Sequence, residues 1–236
     1  MKTTATATLP AADLLPISPG ATVWFRLARL AIAPLLHFLF RFEVIWEEAV
    51  GPEPLVVIAN HSGWLDSFAL LLALPSEPRL HFLGNPEGLV QRRMQWWIVR
   101  HVGGYIPVNH SRHHDPKLFG YADLCLRKGG RVALFPEGEY DFAEENCEAL
   151  LPFKKGFAHF ALDTGTRILP VSIQGSETLW FRKKIRICIG APVDTAGHSI
   201  EELVALGTEK INHLLHTCPA DHGRVRLFSR TLTNLL

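Results

Sequence analysis

A histidine and an aspartate lie five positions apart in the stretch NHSGWLD, which covers residues 60–66. The apolar run LVVIA before it has the composition of a buried strand, and the Ser-Gly after the histidine predicts a turn. Such a turn can bring His61 back to Asp66. The carboxylate would then fix the imidazole tautomer while the other ring nitrogen takes a proton from a hydroxyl. Taken alone, the stretch is more typical of a histidine that caps a helix beside a solvated carboxylate.

A second carboxylate follows a strand-like run in the stretch ALFPEGEYDF, which covers residues 133–142. Its Phe-Pro-Glu-Gly predicts a rigid turn that presents Glu137, beside Gly138, at the end of the strand. Glu137 would either accept a hydrogen bond from a substrate hydroxyl or hold the local loop. A surface turn with an acidic residue is an equally good interpretation of this stretch by itself.

The other serine, cysteine and histidine residues of the sequence are not spaced as in a known nucleophile motif or metal site. There is no GxSxG motif, and none of the four cysteines belongs to a CxxC pair or has the spacing of a zinc site or small disulfide scaffold. We therefore predict reduced cysteines. The histidines of NHSRHHD, residues 109–115, predict an exposed polar loop, because no further ligand with suitable spacing accompanies them. We expect no metal and no cofactor.

Alternating strand-like and helical stretches predict the elements that position these residues. The predicted strands cover residues 54–60, 79–84, 104–108, 131–138, 167–173 and 184–190. The predicted helices cover residues 65–74, 87–101, 117–128, 154–164 and 199–216, the last of which opens with the capping box Ser199-Ile-Glu-Glu202. This alternation predicts an α/β layered fold with a largely parallel or mixed sheet flanked by helices. Ligands of such sheets bind at the carboxyl ends of the strands, where both motifs lie.

The N-terminal part of the chain differs in composition from the rest. Residues 1–22 are rich in Thr, Ala and Pro and predict a mobile leader without the layout of a signal peptide. Residues 23–46 predict a helical segment with an uncharged run, residues 30–40, that is too short to cross a bilayer and is flanked by arginines and tryptophans. This pattern favours a membrane-interfacial helix, and a helix packed on the domain core is the alternative. Residues 47–236 would form the main domain.

Composition limits the classes of partner. The formal net charge of +1 gives the chain no broad positive field, so we expect no nucleic-acid partner. Apolar residues make up 47% of the chain, which is enough for a large core and for some exposed apolar surface. We expect that surface to contact lipid.

The motifs, taken in order, resemble those of the glycerolipid acyltransferase family. The four blocks of that pattern are NHSGWLD (60–66), GGYIPV (103–108), FPEG (135–138) and ILPVSI (168–173). The segment FKKGFAHFALDTG (153–165) is similar to the basic and then helical stretch usually found between the third and fourth blocks. The resemblance covers about residues 23–190. It implies the layered fold of the glycerol-3-phosphate acyltransferases, with residues 47–236 as the acyltransferase domain.

The resemblance also implies an O-acyltransferase in which His61 is the general base and Asp66 orients it. The acceptor hydroxyl would attack the thioester of acyl-CoA or of an acyl carrier protein directly, so the thioester is a co-substrate and not a cofactor. The residues expected to bind substrate are Asn60, Ser62, His110, Arg112, Glu137, Gly138 and Lys154. The implied partners are the thioester donor, a lipid acceptor and the membrane surface. The implied location is the cytoplasmic face of the inner (plasma) membrane, for a peripheral or monotopic protein.

Three places depart from the family pattern in ways that bear on the acceptor's phosphate, and one of them is the segment around Asn85, which lacks the lysine often found after the second strand. The second block usually has an arginine two residues after Pro-Val, whereas this chain has His110 there and Arg112 two residues further on. After FPEG, Glu139 and Tyr140 stand where Thr-Arg or similar residues are usual. Histidine does not replace a bidentate arginine, and glutamate repels a phosphate dianion. We therefore expect the acceptor to be the hydroxyl of a lyso-lipid or of another lipid or glycolipid, with little or no phosphate near the site.

Three alternatives to this hypothesis stay open. The first is a 1-acylglycerol-3-phosphate acyltransferase that forms phosphatidic acid and uses Arg112, or Lys154 and Lys155, for the phosphate. The second is a non-catalytic lipid-binding membrane protein of the same fold, although such a protein has no need of a base. The third is a thioester hydrolase, in which water replaces the acceptor.

Overall fold

The structure, a computed structural model, describes residues 20–84, 102, 104–107, 116–138, 150–219 and 227–233. Along the chain, its elements are α1 (Val23–Leu39), β1 (Arg41–Trp46), β2 (Val56–Ala59), α2 (Asp66–Ala73), β3 (Leu80–Gly84), β4 (Tyr105–Pro107), α3 (Pro116–Arg127), β5 (Arg131–Leu134), α4 (Gly156–Thr164), β6 (Ile168–Gln174), β7 (Lys184–Ile189), α5 (Ile200–Thr217) and α6 (Ser229–Thr233). The helix predicted for residues 87–101 and most of the predicted leader lie outside the described residues.

The described strands form one seven-stranded sheet in the order β1-β7-β6-β2-β5-β3-β4. Strands β2 to β6 run in one direction, whereas β7 is antiparallel to β6 and β1 is parallel to β7. The carboxyl ends of β2 to β6 therefore meet at one edge of the sheet, which we call the carboxyl edge. The predicted mixed α/β sheet with flanking helices is confirmed, and each predicted strand overlaps an observed one.

The central strand β2 is buried on both faces of the sheet. Because successive strand residues point to opposite faces, Val57 and Ala59 belong to the core formed with α1, α2 and α6. Val56 and Ile58 belong to the core formed with α3, α4 and α5. Burial on both faces fixes the position of the strand end, and with it the start of the loop that carries His61.

The helix predicted for residues 23–46 is shorter than expected. Helix α1 ends at Leu39, and residues 41–46 form β1, which is hydrogen-bonded to β7. The prediction was wrong for these residues because Phe42, Val44 and Trp46 recur with the period of two that a strand has. Within the described residues, no helix has the length and apolarity needed to cross a bilayer.

Two of the cysteines are joined, in contrast to the predicted reduced state. Cys188 of β7 and Cys218, the C-cap of α5, form a disulfide across 30 positions of sequence. The prediction failed because this pairing depends on how the end of α5 packs against β7, which the spacing of the cysteines does not reveal. Cys125 of α3 is a free, buried thiol.

Candidate active site

His61 and Asp66 are in direct contact at the carboxyl edge. His61 Nδ1 lies 2.9 Å from Asp66 Oδ2. The backbone N–H groups of Ser62 and Gly63 donate to the same oxygen over 2.6 Å and 2.8 Å. The turn predicted after β2 therefore does bring the histidine back to the aspartate, which is the first residue of α2.

The environments of the two side chains differ. The Asp66 carboxylate is fully buried, whereas 22% of the His61 side chain is exposed. Three N–H donors to Oδ2 compensate the buried carboxylate for part of its lost hydration, whereas Oδ1 is buried without a hydrogen-bond partner among the described residues. Because a carboxylate accepts hydrogen bonds, Nδ1 of His61 carries the proton and Nε2 is the basic nitrogen of the ring. The arrangement is suited to proton abstraction by Nε2.

The Phe-Pro-Glu-Gly turn holds His61 from the other side. The Phe135 ring stacks on the imidazole, with ring centroids 4.1 Å apart and planes 12° apart. Glu137 Oε1 accepts the backbone N–H of His61 over 3.1 Å, and Oε2 accepts that of Leu151 over 3.0 Å. Glu137 therefore joins three loops, in agreement with the loop-holding alternative. Its contact with substrate stays a prediction.

Asn60 is also engaged with backbone groups. Its side-chain amide donates to the carbonyl of Ile173 and accepts the N–H of the same residue, both over 2.8 Å. It also donates to Ser62 Oγ over 3.4 Å. Only 5% of Asn60 is exposed, so its described role is to tie the His61 loop to β6. Substrate binding by Asn60 or Ser62 stays a prediction.

Gly63 allows a close approach that the sequence did not indicate. A Cβ atom at this position would lie 2.7 Å from the carbonyl oxygen of Ser176, in the segment that follows β6. Any larger residue would push the His61 loop away from β6. The stacking of Phe135 was also not predicted, because neither contact has a signal in the local sequence.

Gly138 and Lys154 meet at the outer part of the same edge. Gly138 has a φ of +93°, and the end of the Lys154 side chain lies where a side chain of residue 138 would be. The backbone N–H of Lys154 donates to the carbonyl of Pro136 over 2.8 Å. The predicted substrate-binding residues His110 and Arg112 lie outside the described residues.

A second histidine contacts a potential nucleophile, but the pair is unsuited to catalysis. Cys125 Sγ of α3 lies 3.2 Å from His81 Nδ1 of β3, where the helix packs against the sheet. Burial raises the pKa of the Cys125 thiol to about 12. Burial, together with the charge of Arg79, lowers the pKa of the His81 imidazole to about 4. Both groups stay neutral near pH 7, so the pair provides no thiolate to form an acyl-enzyme.

Comparison with known proteins identifies the family of this chain. Residues 41–174 match the model of the family described as Acyltransferase. The chain is 26% identical over 178 residues to a 1-acyl-sn-glycerol-3-phosphate acyltransferase of Cocos nucifera. The aligned residues cover 71% of this chain and 53% of that protein. It is 25% identical over 201 residues to the 1-acyl-sn-glycerol-3-phosphate acyltransferase alpha of Homo sapiens. That alignment covers 78% of this chain and 66% of the human protein. The chain thus spans about half to two thirds of the length of these relatives.

A solved structure shares the fold. The crystal structure of the 1-acyl-sn-glycerophosphate (LPA) acyltransferase PlsC of Thermotoga maritima matches with a TM-score of 0.63. The match covers 82% of this chain and 78% of that one, at 23% sequence identity. At this identity the likeness establishes the layered architecture, whereas the chemistry has to be argued from the residues at the carboxyl edge.

Proposed function

The chain belongs to the Acyltransferase family, and from this premise we propose that it transfers a fatty acyl group from a thioester donor to the hydroxyl of a lysophospholipid. The observation that carries the proposal is the contact between His61 and the buried Asp66 at the carboxyl edge. The names of the relatives support lysophosphatidic acid as the acceptor. Acyl-CoA and acyl carrier protein are both proposed donors.

The proposed reaction is a direct displacement at the thioester carbonyl. Nε2 of His61 takes the proton of the acceptor hydroxyl as the oxygen forms a bond to the carbonyl carbon. Asp66 stabilises the resulting imidazolium through its hydrogen bond to Nδ1. The tetrahedral intermediate then breaks its carbon–sulfur bond, and the departing thiolate takes the proton from His61. The products are an ester and a free thiol, and His61 returns to its neutral form.

The contacts around His61 support this role because two of them fix the ring and a third fixes its backbone. Phe135 restricts its tilt, Asp66 sets its tautomer and Glu137 holds its backbone N–H. Such preorganisation lowers the cost of reaching the reactive geometry, in which the hydroxyl oxygen must approach the thioester carbon closely. A protein that only bound lipid would gain nothing from a fixed imidazole tautomer.

The acceptor can be identified by release of free thiol from acyl-CoA. We expect purified protein to release thiol with lysophosphatidic acid at least ten times faster than with monoacylglycerol, and only slowly without an acceptor. The reverse preference would favour the acceptor with little phosphate that His110 and Glu139 suggest. Release at the same rate without an acceptor would indicate a hydrolase, and no release would indicate a binding protein.

We also propose that α1 places the protein on a lipid surface. Phe25 and Leu36 of this helix are buried, whereas much of its remaining apolar surface is exposed. The exposed apolar side chains of α1 are Val23, Trp24, Leu27, Leu30, Ile32, Leu35 and Phe38. Directly after α1, the Phe40 ring contacts that of Trp64, in the turn between His61 and Asp66. A lipid surface on α1 would therefore lie beside the proposed site.

This arrangement suits a peripheral or monotopic protein at the cytoplasmic face of the inner membrane. An acceptor lipid would reach His61 from the bilayer, and the water-soluble thioester would arrive from the other side. The short length of α1 favours a helix that lies in the headgroup region.

The membrane proposal can be tested by flotation with phospholipid vesicles. Leu30 and Phe38 are 71% and 63% exposed, so replacing both by glutamine should not disturb the core. Each buried side chain contributes roughly 1.5–3 kcal/mol of transfer free energy, so we expect the double variant to bind vesicles at least tenfold more weakly. Leu124→Gln, on α3, is the matched control for an exposed leucine. Equal binding by all three proteins would contradict the proposal.

A further inference from the structure

Lys154 is attached to the turn that carries Glu137. Its backbone N–H donates to the carbonyl of Pro136, and its side chain passes over Gly138. The Cε and Nζ atoms occupy the space that a Cβ at residue 138 would need. Glycine at this position therefore makes room for the end of the lysine side chain.

The same turn reaches the proposed base. Glu137, next to Gly138 in the chain, accepts the backbone N–H of His61, and Phe135 stacks on the imidazole. A side chain packed on this turn is therefore held in a fixed relation to His61. This places the positive charge of Lys154 at the carboxyl edge.

The neighbouring lysine has a different environment. The Lys155 ammonium forms an ion pair with Glu201 of α5, with Nζ 2.7 Å from Oε1. Among the described residues, no carboxylate lies within ion-pair distance of the Lys154 ammonium. Lys155 therefore connects two helices, whereas Lys154 keeps a positive charge for another partner.

We infer that Lys154 binds a phosphate group of a substrate and determines which substrate is accepted. The inference rests on the proposed function, in which the acceptor lysophosphatidic acid and the donor CoA both carry phosphate. An ammonium binds phosphate as a point charge without the fixed geometry of arginine, so it can act where the family's arginine positions hold His110 and Tyr140. Lys154 would thus supply the charge that those two positions lack.

The test compares Lys154→Met with Lys155→Met in the full chain. KM is measured for lysophosphatidic acid, monoacylglycerol, acyl-CoA and the phosphate-free donor acyl-N-acetylcysteamine. We expect Lys154→Met to raise KM for a phosphate-bearing substrate by roughly tenfold or more, the usual size of a charged hydrogen bond, and to leave the phosphate-free counterpart unchanged. Lys154→Arg should restore most of the affinity, and Lys155→Met should behave as the wild type.

The two phosphate sources give different results. Binding of the acceptor's phosphate would raise KM for lysophosphatidic acid alone, whereas binding of the donor's phosphate would raise KM for acyl-CoA with either acceptor. Both results support the inference. Equal losses with phosphate-bearing and phosphate-free substrates, or no change in any KM, would overturn it.

A binding measurement keeps this inference separate from the proposed function. Calorimetry with hexanoyl lysophosphatidic acid and with CoA reports on phosphate binding even if no acyl group is transferred. Weaker binding by Lys154→Met than by Lys155→Met supports the phosphate site in either case, and identical binding by the two variants overturns it. An absence of transfer by the wild type would contradict only the proposed function.

Discussion

Replacement of His61 by alanine is expected to lower kcat with acyl-CoA and lysophosphatidic acid by about 10²–10⁴-fold, the usual contribution of a positioned general base. The variant loses the only side chain that we propose to take the hydroxyl proton. Its fold should be retained because part of the imidazole is exposed and because the backbone N–H of residue 61 can still donate to Glu137. We therefore expect activity to fall without a comparable loss of stability.

kcat is measured with one substrate varied while the other is saturating, and the thermal unfolding midpoint is measured for the same proteins. His213→Ala is the control, because this histidine is exposed on α5, which packs on the opposite face of the sheet from α2. The control should keep wild-type kcat. Turnover by His61→Ala at a tenth of the wild-type rate or more would remove His61 from the role of base. A large drop in its unfolding midpoint would attribute the lost activity to misfolding.

The features of the site that could be predicted are those encoded within a few residues. The apolar run before Asn60 predicted a buried strand, and Ser-Gly after His61 predicted the turn that returns this residue to Asp66. The capping box at Ser199 predicted the start of α5, and the structure confirms both of its hydrogen bonds. In each case, local composition and turn chemistry determine the conformation.

The features that could not be predicted join distant parts of the chain. Asn60 and Ile173 are 113 positions apart, and their paired hydrogen bonds depend on β2 and β6 being neighbours in the sheet. Glu137 could not be assigned from its turn alone, because its two partners come from separate loops. Strand β1 was interpreted as part of a helix because its apolar residues directly follow the apolar run of α1, and the pairing with β7 that makes it a strand joins residues 143 positions apart. Each of these features depends on which strands and loops are neighbours in the fold, and the local composition of the sequence does not determine that.

A further large effect is expected for Asp66→Asn, which preserves size but removes the negative charge. The Asp66 oxygen that contacts His61 also accepts two backbone N–H groups, from Ser62 and Gly63. If the amide oxygen of asparagine takes the place of this oxygen, it keeps all three N–H donors, and the NH₂ group takes the place of Asp66 Oδ1. The neutral amide then has no negative charge with which to stabilise the imidazolium that forms when Nε2 takes the proton from the hydroxyl.

We therefore expect Asp66→Asn to reduce kcat by about 10²–10⁴-fold, the range for loss of a general base, with only a modest loss of stability. Asp66→Ala should be similarly inactive and should also lose roughly 2–4 kcal/mol of unfolding free energy in urea denaturation, because two buried N–H groups lose their acceptor. Asp163→Asn, an exposed aspartate on α4, is the matched control. If Asp66→Asn kept its activity within tenfold, the aspartate would serve the turn alone. The negative charge beside His61 is therefore what separates a catalytic pair from a capped helix at this position, and the comparison of asparagine with alanine measures the contributions of the charge and of the turn separately.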